Sequence, residues 1–423
     1  MKNIWLFNHY ASSPNHSGLT RHYDIARNLS SSGHNVTIFC TSFIHYKYYD
    51  VIPTKALFYK EQHEGVNFIY LKSTSYSNNG IKRIVNMLVF AIHLFIFSLF
   101  YAIKNKKPHA IYSSSPHLLT PLVGCIVSKI LSVPHVMEVR DLWPETFIMF
   151  GKLKRNSILA KMLCALEKFC YRNSDSIITT LPGAHKYMTQ VGVNTKKIHH
   201  ITNGVDLALF DKNIKRYNIQ DLLDFSLHQG KFIVCYTGAH GVANDLDRVL
   251  DLANSVLHSG YANKIHFLLV GDGAEKTRLV ARAGKENINN IFFYPSLNKK
   301  YIPSLLKCCD CTLFLLHDSP LFSSFGISPN KLADYLAAGV PILQYLNSYN
   351  DIVSDSGAGY SVTPNSSNGV TLLREALFSL YEMPKEKRKT LGKNGRIYAE
   401  KHHDIKVLAS YVESILTSAI DRH

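Results

Sequence analysis

The segment SPNKLADYLAAGVPI, residues 328–342, contains a lysine and an aspartate three residues apart, Lys331 and Asp334. On a helix these two side chains share one face with Asn330. The helix dipole disfavours a lysine in the first turn unless an anion binds there, and helix N-termini bind phosphates readily. The segment therefore predicts a phosphate-binding helix start, with an ordinary surface Lys–Asp pair as the alternative.

A second group of charged residues follows an apolar run in HVMEVRDLWPETF, residues 135–147. Glu138, Arg140 and Asp141 lie within four positions of one another, next to Trp143. Either carboxylate could take a proton from an acceptor hydroxyl, and the indole could stack on the face of a sugar. The alternative is a structural ion pair of Arg140 with one of the two carboxylates.

Two glycine-containing turns follow apolar runs in YTGAHGVANDLDRVL and LLVGDGAEKTRL. Gly238 and Gly271 begin these turns, and Lys276 and Arg278 come just after the second one. Backbone N–H groups of such loops cradle phosphate oxygens. Each loop alone is a weak signal, but together with residues 328–342 they form a set.

A further glycine precedes a helical pattern near the start of the chain, in SPNHSGLTRHYDIARNL. Gly18 lets the backbone approach a ligand closely, and Thr20 can cap the helix. Arg21 and His22 in the first turn could meet an anion, with a solvated helix start as the alternative. Neither a dinucleotide fingerprint nor a phosphate-binding P-loop sequence is present.

The helix that carries Lys331 has clear signals at both ends. Ser328 suits the N-cap and Pro329 the first helical position. Gly339 suits the left-handed residue after the helix, and Pro341 prevents its continuation. These signals predict a short helix that holds the candidate phosphate site in place.

Apolar runs of strand length alternate with helical stretches in two blocks. The first block contains NIWLFN, HNVTIFCTS, VNFIYL, HAIYSSS, HVMEV and SIITTL, and the second contains KFIVCYTG, KIHFLLVGDG, NIFFYPS, CTLFLLHD and VPILQYL. The alternation predicts an α/β protein with two doubly wound, Rossmann-like domains that face each other across a cleft. In such sheets ligands bind beyond the carboxyl ends of the strands. We place the domains at 1–205 and 206–395, followed by a C-terminal helix, 396–423, that packs back on the first domain.

The segment IVNMLVFAIHLFIFSLFYAI, residues 84–103, interrupts this pattern because it is apolar for twenty residues. Its length suffices to span a bilayer. Positive residues flank both of its ends: Lys82, Arg83, Lys104, Lys106 and Lys107. A single span would place one of these clusters on the disfavoured side. A core helix and a helix in the membrane surface fit better than a span, and one helix can be both.

The composition describes a folded protein of 423 residues with 46% hydrophobic residues, 18% charged residues and a net charge of +16. Such an excess of positive charge favours anionic partners, but its even spread along the chain argues against a nucleic-acid binder. Cys308, Cys309 and Cys311 lack the spacing of a zinc site, which predicts buried thiols in a reduced, cytosolic protein without a metal. The N-terminal apolar stretch is too short for a signal peptide.

Taken together, these motifs resemble the retaining glycosyltransferases of family 4, which have the GT-B fold, and above all the branch that builds bacterial O-antigen and capsule sugars. The resemblance rests on GLTRHYDIARNLSSSGHNVTIF, EVRDLWPE, ITNGVDLALF, LLVGDGAEKTRL and SPNKLADYLAAGVPI. It covers nearly the whole chain. It implies transfer of a sugar from a nucleotide donor, most often UDP-linked, with retention at the anomeric carbon.

The resemblance also implies roles for individual residues. Asp334 matches the second glutamate of the family's Glu-x7-Glu motif, which holds the ribose hydroxyls, and a carboxylate suits two vicinal hydroxyls. The backbone from Ser328 to Lys331 matches the helix start that binds the diphosphate, and Leu297 matches the contact to the base. The donor-binding set is Gly18, Gly238, Gly271, Lys276, Arg278, Leu297, Ser328, Asn330, Lys331 and Asp334. The acceptor-binding set is Arg21, His22, Arg140 and Trp143.

The sequence departs from the family pattern at two places. Gly326 stands eight positions before Asp334, where relatives carry the first glutamate. Ala239 and Asn244 stand where many relatives carry an Arg and a Lys. We therefore expect the charge of the diphosphate to be met by Lys331, Lys276 or Arg278.

The expected reaction needs neither a metal nor a cofactor. Lys331 and helix N-termini would stabilise the departing diphosphate, while Asp141 or Glu138 orients the acceptor hydroxyl. A lipid-diphosphate-linked glycan as acceptor would explain the positive charge and the apolar helix, and it places the protein at the inner face of the cell membrane. A nucleotide-sugar epimerase of the same shape and a non-catalytic nucleotide-binding membrane scaffold protein are the alternatives.

Overall fold

A computed structural model of the chain describes residues 1–16, 20–45, 47–52, 55–77, 80–364 and 368–423. Gly18 lies outside the described residues. The chain forms two compact units, of which the first contains Met1–Thr202 and Ile405–His423 and the second contains Asn203–Asp404. The sequence-based boundaries were 205 and 395. The second differs because a long helix, Lys385–His402, continues within the second unit.

The first unit is built on an eight-stranded sheet with the strand order β10-β9-β8-β7-β1-β2-β6-β5. All described pairs in it are parallel except β5 with β6. A short antiparallel pair, β3 with β4, lies apart from this sheet. The strands are β1 (Asn3–Asn8), β2 (Asn35–Thr41), β3 (Phe43–Ile44), β4 (Tyr49–Asp50), β5 (Phe58–His63), β6 (Val66–Leu71), β7 (Ala110–Ser114), β8 (His135–Val139), β9 (Ser176–Thr179) and β10 (Ile198–His200).

Helices pack against this sheet and enclose two hydrophobic clusters. One cluster joins β1, β2 and β6 to α1 and α16, with Leu29 and Val412 fully buried. The other joins Trp5 and Phe39 to α2 and α3. The helices of this unit are α1 (Arg21–Ser31), α2 (Ile81–Lys104), α3 (Leu119–Leu131), α4 (Glu145–Met149), α5 (Ile158–Arg172), α6 (Ala184–Gln190) and, from the end of the chain, α16 (Ile405–Arg422).

The second unit is built on a six-stranded sheet, all parallel, with the order β13-β12-β11-β14-β15-β16. Its strands are β11 (Phe232–Thr237), β12 (Ile265–Val270), β13 (Ile291–Tyr294), β14 (Cys311–Leu315), β15 (Ile342–Tyr345) and β16 (Gly359–Val362). Its helices are α7 (Leu207–Arg216), α8 (Leu246–Leu257), α9 (Lys276–Lys285), α10 (Ile302–Lys307), α11 (Pro320–Phe325), α12 (Asn330–Ala338), α13 (Ile352–Ser356), α14 (Gly369–Glu382) and α15 (Lys385–His402). Cys309 and Cys311 are buried as expected, whereas Cys308 is exposed.

All the apolar runs that predicted strands form strands, so two predominantly parallel sheets in an α/β fold are confirmed. Five strands were not indicated by the sequence: β5, β10 and β16 lie at sheet edges, and β3 and β4 form the separate short pair. The sequence did not indicate β5 because the residues of this strand, FYKEQH, are largely exposed and form no continuous apolar run. Edge strands are often blunted in this way by charged side chains.

The apolar segment 84–103 lies within α2, which packs on the first sheet along one face. Asn86, Phe90 and Leu94 on that face are fully buried. The opposite face exposes large apolar side chains along the entire helix: Ile81, Ile84, Val85, Leu88, Ile92, Ile96, Phe100 and Ile103. By length and composition α2 is the one described helix that could cross a membrane, with about a third of its most apolar window buried (33%). We call the exposed side of α2 the apolar stripe.

Candidate functional site

The two glycine-containing loops after β11 and β12 lie directly against each other in the second unit. The amide of Gly238 donates a hydrogen bond to the carbonyl of Val270 at 3.0 Å, and the amide of His240 donates to the carbonyl of Asp272 at 2.8 Å. A Cβ placed on Gly271 would lie 1.8 Å from the carbonyl oxygen of Gly238. Only glycine permits this approach, which joins the two candidate phosphate-binding loops into one element.

Helix α12 is attached to the end of β11 by a buried tyrosine. The hydroxyl of Tyr335 accepts a hydrogen bond from the amide of Thr237 at 2.8 Å and donates one to its carbonyl at 3.2 Å. Leu332 and Leu336 are buried beside it, as their spacing predicts. This attachment brings the first turn of α12 to the loop that follows β11.

Lys331 points from that first turn into the loop after β11. Its ammonium donates hydrogen bonds to the hydroxyl of Tyr236 at 2.8 Å and to the side-chain oxygen of Asn244 at 2.6 Å. A Cβ placed on Gly238 would lie 3.2 Å from the same nitrogen. Burial lowers the pKa of Lys331 to about 7. The structure thus brings Lys331 and Gly238 together and does not support a surface Lys–Asp pair.

The position of Asn244 explains one departure from the family pattern. The resemblance implies a lysine in many relatives at the position of Asn244, and here the amide oxygen of that side chain accepts a hydrogen bond from Lys331. The side-chain nitrogen of Lys331, which comes from α12, therefore occupies this loop.

The predicted start of α12 was wrong by one residue, whereas its end is confirmed. The helix begins at Asn330 and Pro329 occupies the N-cap position without a side-chain hydrogen bond. The hydroxyl of Ser328 instead accepts a hydrogen bond from the amide of Asn203 at 2.8 Å. Pro329 has an extended backbone with a ψ of 133°, so the chain enters the helix one position later than the cap pattern suggests. Gly339 ends the helix with a φ of +63°.

The remaining donor-binding candidates on α12 and after β13 are accessible to a ligand. Asn330 is exposed and Asp334, one turn beyond Lys331, is partly buried. Burial raises the pKa of the Asp334 carboxyl, while the charge of Lys299 opposes that shift. Leu297 is partly buried and packs against a small apolar cluster of the second unit. Their roles in donor binding stay predictions.

The two basic residues after the second loop differ in their surroundings. Lys276 donates to the carbonyl of Gly271 at 2.8 Å and to that of Tyr294 at 2.9 Å, so it holds the ends of β12 and β13. Arg278 is half-exposed and pairs with the carboxylates of Asp247 and Glu275. Because its charge is already compensated, we remove Arg278 from the groups expected to meet the diphosphate.

His240 belongs to the same loops, but it is not among the residues selected from the sequence. The side chain is fully buried, and neither ring nitrogen has a hydrogen-bond partner among the described residues. Its Nε2 would lie 3.2 Å from a Cβ on Gly271. Burial, together with the charge of Lys276, lowers the pKa of His240 to about 4. The imidazole is therefore neutral at physiological pH, and its position between two glycines was the only signal in the sequence.

In the first unit, Glu138 is the centre of a buried hydrogen-bond network. It is fully buried, and its carboxylate receives hydrogen bonds from Arg21 at 3.1 Å, His22 at 2.8 Å and Ser114 at 3.0 Å. The hydroxyl of Tyr112 also donates to it. Although burial opposes ionisation, the charge of Arg21 and the contact with His22 hold the pKa of Glu138 well below its usual range.

This network corrects three predicted site residues. Arg21 also donates to the backbone carbonyls of Ile201 and Thr202, so its guanidinium is used inside the unit. Arg21 and His22 are buried rather than placed at a solvated helix start. We therefore assign Glu138, Arg21 and His22 to the structure that supports the site, because their polar atoms are occupied and shielded from solvent.

Arg140 and Asp141 lie at a cavity of about 250 Å³ beyond the carboxyl ends of β1, β7 and β8. Eight residues line this cavity: Asn8, Tyr10, His45, Arg83, Ser115, Pro116, Arg140 and Asp141. The amide of Arg140 donates to the hydroxyl of Ser115 at 2.9 Å, and its guanidinium lies 3.9 Å from Glu138. Asp141 is exposed. The predicted ion pair of Arg140 with Glu138 is thus present, whereas the role of Asp141 in binding a ligand stays a prediction.

Trp143 lies outside the residues that line this cavity. Its ring packs edge-on against Phe147, with 4.5 Å between the ring centres, and the side chain is partly buried. Stacking on an acceptor sugar stays a prediction for this residue.

Comparisons with known proteins agree with the two-unit arrangement. The family described as "Glycosyl transferase 4-like domain" matches residues 17–204, and the family described as "Glycosyl transferases group 1" matches residues 220–398. Together these matches cover most of the chain. The chain belongs to the family 4 glycosyltransferases of the GT-B fold.

Individual relatives are distant in sequence. WcaI of Escherichia coli (strain K12), whose name places it in colanic acid biosynthesis, is 24% identical over 61% of this chain. That match spans 62% of the relative's own length. Among solved structures, sucrose-phosphate synthase of Thermosynechococcus elongatus is similar with a TM-score of 0.74 and 17% identity over the full length of both chains. HepE of Anabaena, in complex with UDP-glucose, is similar with a TM-score of 0.68 and 15% identity over 99% of this chain and 100% of the other. These likenesses in structure show the fold.

Proposed function

We propose that this chain transfers a sugar, with retention, from a UDP-linked donor to a hydroxyl of a lipid-linked glycan. The observation that carries the proposal is the position of Lys331, whose partly buried ammonium lies at the joined glycine loops in the first turn of α12. No carboxylate among the described residues forms an ion pair with it. A cation held in this way by neutral oxygens has capacity left for an anion.

The chemistry of the donor follows from this charge. When the bond between the sugar and the diphosphate breaks, negative charge grows on the diphosphate oxygens. A preorganised ammonium and the free N–H groups of a helix start stabilise that charge without reorganisation. Lys331 and the start of α12 are the groups that we assign to this task. The reaction on this scheme requires no metal and no cofactor, so activity should survive chelation of divalent cations.

The identity of the donor nucleotide is inferred from similarity to a protein of known structure. The structurally similar HepE of Anabaena was solved with UDP-glucose, and we infer UDP for this chain by analogy. Asp334, partly buried one turn beyond Lys331, would accept hydrogen bonds from the ribose hydroxyls.

For the acceptor, we assign the cavity of the first unit. Asp141 is an exposed carboxylate at its rim and would orient the attacking hydroxyl, a role that Glu138 cannot fill because it is buried.

The apolar stripe of α2 supports contact with a membrane surface at the inner face of the cell membrane. Its exposed side chains would enter the headgroup region, and the flanking lysines and arginine match the charge of anionic lipids.

The test is equilibrium binding of UDP, GDP, CMP and dTDP to the full chain and to three variants. We expect one diphosphate to bind in the micromolar range, with Lys331→Ala and Asp334→Asn weakening it at least about tenfold. Lys285→Ala is the matched control, because this lysine is exposed at the end of α9. Equal affinity in Lys331→Ala and wild type would refute the donor site. Binding without turnover in the presence of lipid-linked glycans would point to the non-catalytic alternative.

A separate measurement addresses the membrane. Co-sedimentation with vesicles that contain anionic lipid should fall in the double variant Ile92→Gln, Ile96→Gln. The exposed Val280 of the second unit provides the control Val280→Gln, which should bind vesicles as the wild type does.

A further inference from the structure

We propose that Arg83, Arg140 and Tyr10 form a binding subsite for a phosphate or diphosphate group in the first unit. The inference rests on the proposed function in one respect, since it takes this group to be the diphosphate of the lipid-linked acceptor. It changes the acceptor set, because two of its three residues were not selected from the sequence.

The subsite coincides with the cavity that Asp141 borders. Two guanidinium groups, a phenol and the hydroxyl of Ser115 belong to residues that line about 250 Å³. Guanidinium groups bind phosphate oxygens in a bidentate manner, and hydroxyl groups complete such sites. Asp141 carries the one carboxylate among the described lining residues. Glu138 lies 3.9 Å from the guanidinium of Arg140, but its charge is already compensated by Arg21, so positive charge predominates in the cavity.

Arg83 is held at this cavity by a fixed helix. One turn further along α2, the buried side-chain oxygen of Asn86 is hydrogen-bonded to His9 at 2.8 Å, and the hydroxyl of Ser73 donates to the carbonyl of Asn86 at 2.8 Å. Arg83 itself donates through two nitrogens to the hydroxyl of Tyr10, at 3.1 and 3.0 Å. The charge is therefore positioned before any ligand arrives, which reduces the entropy cost of binding.

The histidines around the cavity do not contribute to its positive charge, which comes from the two arginines. His117 is buried behind Tyr10, with 6.2 Å between the ring centres. Burial and the charge of Arg83 lower the pKa of His117 to about 3, and the same two causes lower the pKa of His45. Both imidazoles are neutral at physiological pH, so the charge of the subsite does not vary with pH in that range.

The size of the cavity decides which part of a substrate fits. Pockets for whole drug-sized ligands have volumes of about 300–1,000 Å³. A cavity of about 250 Å³ suits a phosphate-bearing headgroup rather than a complete nucleotide-sugar. This separates the subsite from the nucleotide site that we assign to the second unit.

The surroundings of Arg83 indicate where the rest of the ligand lies. Arg83 is in the first turn of α2, between the exposed side chains of Ile81, Ile84 and Val85, which are 79%, 56% and 41% accessible. A phosphate bound to Arg83 would therefore have apolar surface within one helical turn. That combination matches a phosphate attached to a hydrocarbon chain better than a free soluble phosphate.

The experiment compares two probes, inorganic pyrophosphate and farnesyl diphosphate, by calorimetry on the full chain. Both are titrated in the presence of saturating UDP. Arg83→Gln removes the proposed contact, and Arg83→Lys keeps the charge but loses the bidentate geometry. Lys82→Gln is the matched control, because it removes one positive charge from the adjacent exposed position of the same helix. Thermal unfolding of each variant shows whether it is folded.

We expect farnesyl diphosphate to bind at least about tenfold more weakly to Arg83→Gln, with an intermediate loss in Arg83→Lys and a change below about twofold in Lys82→Gln. Equal losses in Arg83→Gln and Lys82→Gln, or none in either, would overturn the proposal. Equal affinity for both probes, with the same dependence on Arg83, would support the anion subsite and assign it to soluble phosphates. UDP affinity is measured separately, so a failure of the donor site would leave the dependence on Arg83 intact and be recognised as such.

Discussion

Charged residues occur at the carboxyl ends of parallel strands in both units, but the two groups are built in opposite ways. In the first unit Glu138 is surrounded by a cation and by hydrogen-bond donors that satisfy it. In the second unit Lys331 is partly buried and contacts a phenol and an amide oxygen, which carry no charge. A charge that is compensated by an opposite charge within the protein supports the fold. A charge that contacts only uncharged groups remains available to a ligand.

Glu138→Gln should produce the largest effect on stability. The change leaves Arg21 buried without its counter-charge, which costs about 3–5 kcal/mol of the unfolding free energy of the first unit. Urea unfolding followed by circular dichroism measures this. Glu413→Gln is the control, because it breaks an ion pair with His34 that is partly exposed, worth at most about 1 kcal/mol. A loss for Glu138→Gln no larger than that of the control would contradict a compensated network.

Lys331→Met should change stability in the opposite direction, because it should stabilise the second unit. The pKa of Lys331 in the folded protein is about 7, below the ordinary value of 10.5. Between these pH values the unfolded chain binds more protons than the folded chain does. The stability of the second unit therefore rises with pH from about 7 to about 10. Below pH 7 the full penalty is present, and Lys331→Met removes it, with a gain on the order of 2–4 kcal/mol.

The measurement for Lys331→Met is urea unfolding at pH 6.5, 8 and 9.5. The variant should lose both the rise with pH and the affinity for nucleotide. Lys285→Met, at an exposed position, should keep the pH dependence of the wild type. A wild-type stability that is flat over this interval would mean that Lys331 already has a counter-charge.

Gly271→Ala tests whether the close contact of the two loops is needed. The methyl group of the alanine would clash with the carbonyl of Gly238. The resulting backbone shift should cost about 1–3 kcal/mol of the free energy of unfolding and weaken nucleotide binding. Gly284→Ala is the matched control, because no atom lies within 4 Å of a Cβ there. That glycine lies in α9, so the control should be neutral or slightly stabilising. Unchanged nucleotide affinity in Gly271→Ala would show that the loops act separately.

The comparison also shows what a sequence can reveal about such sites. Continuous apolar runs predicted the buried parallel strands, since a strand covered on both faces has little freedom in composition. The end of α12 was equally readable, because Gly339 adopts a conformation that glycine alone takes without strain. Local rules sufficed in these places.

Sequence patterns could not show that Glu138 is buried and structural whereas Asp141 is exposed at the cavity, although the two residues are only three positions apart. Glu138 is compensated by Arg21, which is 117 residues away in the chain. Arg83 was counted with the charges that flank an apolar helix, and its contact with Tyr10 spans 73 residues. The position of His240 between two glycines was its only signal, because the burial of this side chain depends on how two loops meet. Contacts between distant segments decide which charges remain for a ligand, and no local pattern encodes them.

Tyr335→Phe should change the free energy of unfolding least, and it tests directly how the first turn of α12 is positioned. The substitution keeps the aromatic ring in the core but leaves the amide of Thr237 without its partner, which costs about 1 kcal/mol. If the hydroxyl of Tyr335 is what holds the first turn of α12 at the loop, nucleotide affinity should fall a few-fold even though Lys331 is intact. Tyr411→Phe, at an exposed position of α16, should alter neither property. A loss of stability without a loss of affinity would mean that Lys331 finds the loop through Tyr236 and Asn244 alone, because the remaining contacts then suffice to position the charge.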